Sequence, residues 1–122
     1  MGNTGNHNER IAKLTFASVY PLYLAKVERK NRTKKEIDRI IEWHTGYDEI
    51  KQQKLIEQKV TFDKFFQRAK LKANSKFITG VICGYRVEEI KNELTQQVRY
   101  LDKIVDELAK GRKMEKILRK DT

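Results

Sequence analysis

From Arg86 to Gly111 the chain carries apolar residues at helical spacing without a break. Val87, Leu94, Leu101 and Leu108 recur every seven residues, and Ile90, Val98, Ile104 and Val105 fill the intervening turns on the same face. At about 1.5 Å of rise per residue, the spacing predicts one amphipathic helix with a packing face of roughly 34 Å. Contiguous apolar surface of that length is unusual on a soluble monomer, so it must be covered by other parts of the chain or by a second copy. Asp106 and Lys110 form an acid-to-base pair four residues apart, and Gly111 suits the left-handed position just past a helix end.

The segments before this seam read as shorter helices. Phe16, Val19, Tyr20, Tyr23 and Val27 have helical spacing, with Ser18 as a candidate cap that would put Pro21 in the first turn, where proline is tolerated. Thr33-Lys34-Lys35-Glu36 is a capping box, in which threonine and glutamate satisfy each other's free amides, and Ile37, Ile40, Ile41 and His44 make the buried stripe behind it. Thr45-Gly46 ends that helix, and Asp48 starts another through about Lys59, with Ile50, Leu55 and Ile56 inward. Thr61 caps a short helix whose Phe62, Phe65, Phe66 and Ala69 form an apolar plug. Leu71 to Ser75 reads as a loop. Phe77 to Tyr85 is the least polar run, β-branched and punctuated by Gly80 and Gly84, and is expected to be a buried irregular or short β segment. Met114, Ile117 and Leu118 form a last amphipathic turn or two.

The chain of 122 residues is the size of one domain. Residues 1–10, Asn- and Gly-rich, read as a flexible leader, leaving 11–122 as a single helical domain. The fold class expected is mainly α: a compact helical domain of five to six helices, one long C-terminal amphipathic helix, and at most a short β segment near residues 77–85. No run is apolar enough for a membrane span, and the first ten residues lack the core of a signal peptide. A single cysteine, Cys83, permits no internal disulfide, so the expected compartment is the cytoplasm.

Several uncommon blocks occur together: Phe16 to Tyr23, Trp43 with Thr45-Gly46-Tyr47, Ile78 to Gly84, Arg86-Val87-Glu88, Arg99 to Lys103, and Asp106 to Gly111. In this order they resemble the bacterial domain-of-unknown-function family 2200, from about Leu14 to Arg119. The resemblance implies a small single-domain bacterial protein and brings no activity, cofactor or catalytic residue with it. His44 stands where the family usually has an apolar residue, and the loop near Lys72 to Ser75 lacks a customary proline.

The net charge of +10 is concentrated in three runs. Lys26, Arg29, Lys30, Arg32, Lys34 and Lys35 are opposed only by Glu28; Lys64, Arg68, Lys70, Lys72 and Lys76 are bordered by Asp63; and Lys110, Arg112, Lys113, Lys116, Arg119 and Lys120 are opposed by Glu115. The first run is the candidate polyanion patch, since clustered lysine and arginine are what phosphate backbones bind. A helix-turn-helix from Thr33 through the Asp48 helix, presenting Lys51, Gln52, Gln53 and Lys54, is a further nucleic-acid reading.

Catalytic chemistry finds little support. His7, His44 and Cys83 are too few for a metal centre, and no metal or cofactor is expected. The carboxylate pairs Asp38/Glu42, Glu89/Glu93 and Asp102/Asp106 read as solvated helix faces. Cys83 reads as a buried core thiol, with His44 its only candidate imidazole partner. No phosphate-binding glycine loop or nucleophile elbow is present. Tyr20, Tyr23, Trp43, Tyr47, Tyr85 and Arg86 are the candidate lining of a ligand cleft. The function expected is therefore a non-catalytic binding or protein-interaction module, a homodimer through any exposed remainder of the long helix. The alternatives are a small-ligand-binding protein or enzyme using the aromatic and Arg86 cleft, and a basic nucleic-acid binder.

Overall fold

A computed structural model describes residues 3–119. Seven α-helices occupy them: α1 (Asn3–Lys13), α2 (Phe16–Glu28), α3 (Lys34–Thr45), α4 (Glu49–Glu57), α5 (Phe62–Gln67), α6 (Glu93–Ala109) and α7 (Met114–Ile117). Two 3-10 turns, Ala73–Phe77 and Val87–Glu89, flank a small antiparallel hairpin of β1 (Val81–Ile82) and β2 (Tyr85–Arg86), with Val81 opposite Arg86 and Ile82 opposite Tyr85. The chain is mainly α, as its periodicity predicts, with one helix more than expected. No helix among the described residues is long and apolar enough to cross a membrane.

Local chemistry sets most of the helix boundaries. The Thr33 capping box is complete: the Thr33 hydroxyl accepts from Glu36 N, and the Glu36 carboxylate accepts from Thr33 N at 3.0 Å. Asp48, Thr61 and Asn92 cap α4, α5 and α6 through their side chains alone, accepting from Lys51 N, Lys64 N and Thr95 N. Stops are equally local. Asn31 (φ 63°), Lys59 (φ 52°) and Gly111 (φ 90°) follow α2, α4 and α6 in the left-handed region. In each case the next residue's amide reaches back five positions, as Arg112 N does to Glu107 O at 3.1 Å.

Three boundaries differ from the sequence reading. Thr15, not Ser18, caps α2, which puts Pro21 inside the helix, where it has no N–H to give the Ala17 carbonyl. The long helix begins at Glu93 rather than Arg86, because Tyr85 and Arg86 pair with β1 and Asn92 provides the cap; Val87 still reaches the core through its 3-10 turn. Residues 3–10, expected in a leader outside the fold, enter α1; residues 1 and 2 of that leader lie outside the described residues. Asn8 of α1 accepts from Thr95 Oγ1 at 2.6 Å, and Ile11 is buried.

Helix α6, about 26 Å long by its 17 residues, is the axis of the fold. It touches α1, α2, α3, α5, α7 and β1. Leu101, Ile104, Val105 and Leu108 are fully buried and Val98 nearly so, while Leu94 and Ile90 are half-buried. Most of the seam is thus covered by the chain's own helices, with Ile90 and Leu94 partly exposed at its start. Phe62, Phe65 and Phe66 form the expected plug, their rings 4.8 to 5.7 Å apart, against Phe16 of α2. An antiparallel bridge between the two cap residues Thr15 and Thr61, with Phe62 N donating to Leu14 O at 2.7 Å, holds the starts of α2 and α5 together. Ile50, expected inward, is 70% exposed; Gln52 takes the inner position and donates to Asp38 O and Tyr47 O.

Charged groups close the C-terminal end of α6. Arg32 Nη1 donates to the Leu108 and Arg112 carbonyls at 3.2 and 2.9 Å while its other nitrogens hold Glu36. Asp106 pairs with Lys26 and Lys110, and buried Glu107 with Arg112 and, through both oxygens, Arg119. Asp38, 7% exposed, accepts from Tyr20 Oη and Lys34 Nζ. Asp38, Asp102 and Asp106 are therefore structural ion-pair partners rather than the solvated faces the sequence suggested.

Two outcomes follow from this packing. Leu101→Asp places a charge in a fully buried site and should cost about 4 kcal/mol or more. Circular dichroism should show unfolding, and a folded Leu101→Asp monomer would contradict the packing described. His44 is fully buried between Ser75 Oγ (2.7 Å from Nδ1) and the Gln97 carbonyl (3.2 Å from Nε2), so Nε2 carries the proton. Burial lowers its pKa to about 4. An unfolded histidine titrates near about 6.5, so between about pH 6.5 and 4 the unfolded chain takes up a proton that the folded protein refuses. Stability present above that window should fall by about 3 kcal/mol across it. Urea unfolding of His44→Gln should show a correspondingly flatter acid limb than the parent; identical limbs would refute this role for His44.

Candidate anion-binding cleft

The six residues expected to line one cleft are dispersed. Tyr20 is buried and donates to Asp38 Oδ1 at 2.5 Å; Tyr47 is buried and donates to the Phe65 carbonyl at 2.6 Å. Tyr23 donates to Asp102 Oδ1, and its burial, reinforced by the Asp102 charge, raises its pKa well above the usual tyrosine range. Trp43 is half-buried against the core. Each polar tip among the three tyrosines is satisfied at the core edge. Tyr85 and Arg86 alone stay at the surface, on the outer strand of the hairpin, and both line a cleft.

That cleft, about 550 Å³, lies between α1, the hairpin and the start of α6. His7, Asn8 and Arg10 of α1, Tyr85 and Arg86 of β2, and Glu89, Ile90, Lys91, Asn92, Thr95 and Arg99 around the α6 start form its wall. Four cations line it, Arg10, Arg86, Lys91 and Arg99, with one carboxylate, Glu89; Arg86 also pairs with Glu88 and Arg99 with Asp102, each at 2.9 Å. Asn92 and Thr95 are the cap and the third residue of α6, joined by a 2.9 Å bond from Thr95 N to Asn92 Oδ1, so the positive end of a 17-residue helix opens into the same space.

Arg99 organises the inner wall. Its Nη1 donates to Asp102 Oδ2 at 2.9 Å and to Cys83 Sγ at 3.4 Å, and its Nη2 donates to His7 Nε2 at 3.3 Å. Asp102 in turn holds Tyr23, so a polar chain runs from the core to the cleft. Arg99 Nε is buried and has no hydrogen-bond partner among the described residues. His7 and Arg10 were not expected here because residues 1–10 were read as lying outside the fold; for Arg99 of α6 the visible signal was the Arg99/Asp102 spacing of three on the flank of the seam.

Cys83 is exposed, not a core thiol: it and Gly84 take positive φ (52° and 85°) in the two-residue hairpin turn. The Cys83 and His44 pair considered from sequence is not formed, because His44 binds Ser75 and Gln97. No group of three or more metal-ligating side chains stands together among the described residues.

Half of the candidate polyanion patch is engaged in ion pairs. Lys26 pairs with Asp106, Arg32 with Glu36, and Lys34 with Asp38 and Glu49. Arg29, Lys30 and Lys35 are exposed, without an ion pair among the described residues. In the helix-turn-helix reading, Gln52 was to face a groove and is instead buried under α3.

Comparison with known proteins agrees with the fold. A crystal structure of the uncharacterized protein SP1917 superimposes with a TM-score of 0.86 at 36% identity, over 93% of this chain and 97% of that one. No curated protein matches. The model of the family described as "Uncharacterized protein conserved in bacteria (DUF2200)" matches residues 10–119. The chain belongs to that bacterial family.

Proposed function

We propose that the protein is a non-catalytic binding module whose site is the cleft between α1, the hairpin and the α6 start, and that the cleft takes a small anion bearing phosphate or carboxylate groups. The observation that carries this reading is the convergence of Arg10, Arg86, Lys91 and Arg99 on one concave space at a helix N-terminus, against a single lining carboxylate. Arginine guanidinium groups pair with planar or tetrahedral oxyanions through two parallel bonds, and exposed Arg86, which gives only its Nε to Glu88, keeps its two terminal nitrogens for this. Tyr85, 53% exposed, supplies an aromatic face beside the cations for a ligand that carries a ring. The catalytic alternative lacks a base positioned on a nucleophile: His7 Nε2 and Cys83 Sγ each contact Arg99. The reading sets the module in the cytoplasm, where a lone exposed thiol stays reduced.

Thermal melts in phosphate, pyrophosphate, citrate and adenosine monophosphate, against sodium chloride at equal ionic strength, test the proposal. A ligand at 100 times its Kd should add about 2.7 kcal/mol and raise Tm by several degrees. Arg86→Ala combined with Lys91→Ala, both at the surface, should abolish the rise while leaving the ligand-free Tm unchanged. The proposal fails if no anion raises Tm beyond the salt control, or if the double variant responds like the parent.

A further inference from the structure

A second surface, separate from the cleft and independent of its reading, carries an inference of its own. Two of the three basic runs meet in space: Asn74 Nδ2 donates to the Arg119 carbonyl at 2.9 Å, and Arg119 Nε donates to the Phe77 carbonyl at 3.1 Å. The run Lys64 to Lys76 thereby adjoins α7 with its exposed Lys116.

As at Arg29, Lys30 and Lys35 of the first run, the cations of this surface are not consumed by ion pairs, and what it adds is the exposed ring of Phe77 beside Lys76. Lys64, Arg68, Lys70, Lys72 and Lys76 are all exposed, and none has an ion-pair partner among the described residues. Asp63, the carboxylate at its border, instead accepts from Gln67 Nε2 at 3.0 Å. The backbone beneath is fixed, with Lys70 N and Lys72 N donating to the Thr45 and His44 carbonyls at 2.9 and 3.2 Å, so the cations cannot spread apart freely. At the C-terminal end of this run Phe77 stands 47% exposed, with Lys76 Nζ 5.6 Å from its ring centre.

We propose that this surface binds single-stranded nucleic acid, with phosphates on Lys64, Arg68, Lys70 and Lys72 and a base stacked on Phe77. Unneutralised cations beside an exposed aromatic ring are the two elements such binding uses. The six-residue α5 has its inner face buried and offers no long helix for a duplex groove, whereas an unstacked base can reach an exposed ring.

Fluorescence anisotropy of a labelled oligothymidylate of about 20 nucleotides, an equal-length duplex and polyglutamate, at about 50 and 200 mM salt, tests this. The single strand should bind most tightly and lose affinity with salt. Lys64→Ala/Lys72→Ala should weaken it and reduce the salt slope by about 0.7 per lysine removed. Phe77→Ala should weaken binding about five-fold or more with the slope unchanged. Lys30→Glu/Lys35→Glu, on the other basic run, should leave binding intact. All these side chains are exposed, and matching melting curves verify that the variants fold. The proposal is overturned if the strand does not bind at the lower salt, if the Lys30/Lys35 variant loses as much as the Lys64/Lys72 variant, if Phe77→Ala binds like the parent, or if duplex or polyglutamate binds as tightly.

Discussion

Removal of one stripe of α6 from water is the constraint on which the other elements depend. Leu101, Ile104, Val105 and Leu108 lose all exposure, and the remaining helices are placed to accomplish that. At roughly 25 cal/mol per Å² of apolar surface, burying that stripe is a large stabilising contribution. The short helices α4, α5 and α7 are too brief to persist in water alone, and exist because α6 and its neighbours bury one side of each.

A helix enclosed on so many sides must still dispose of its polar groups, and much of the chain's charge serves this end. Arg32 occupies two carbonyls at the α6 C-terminus while holding Glu36, which closes the capping box of α3, so one guanidinium joins the end of one helix to the start of another. Asp102, Asp106 and Glu107 each find cationic partners. The positive excess in the sequence therefore divides into cations consumed by this internal arrangement and cations left outward, a division that composition alone does not reveal.

Much of the architecture was legible because its causes are local. The heptad spacing of the seam, the Thr33 box, the phenylalanine plug and the Gly111 stop each depend on residues within a few positions of one another. The start of α6 was not, because Val87 and Ile90 continue the apolar pattern through a 3-10 turn while the backbone is diverted to pair with β1. Helix α1 was invisible for the opposite reason: it is Asn- and Gly-rich, and its place is set by Ile11 and by contacts to Thr95 and Arg99 more than eighty positions away. The cleft suffered accordingly. Tyr85 and Arg86 were found, but the tyrosines grouped with them each reach a separate acceptor, and one side of the wall, His7, Asn8 and Arg10, comes from the segment set aside.

The pairing of Glu107 with Arg119 fixes the turn that follows α7. A carboxylate 6% exposed on the central helix is held through both oxygens by Arg119, which also anchors the segment at Asn74 and Phe77. Loss of that guanidinium would strand a buried negative charge beside its remaining partner Arg112, so this turn acts as a latch drawn across the core.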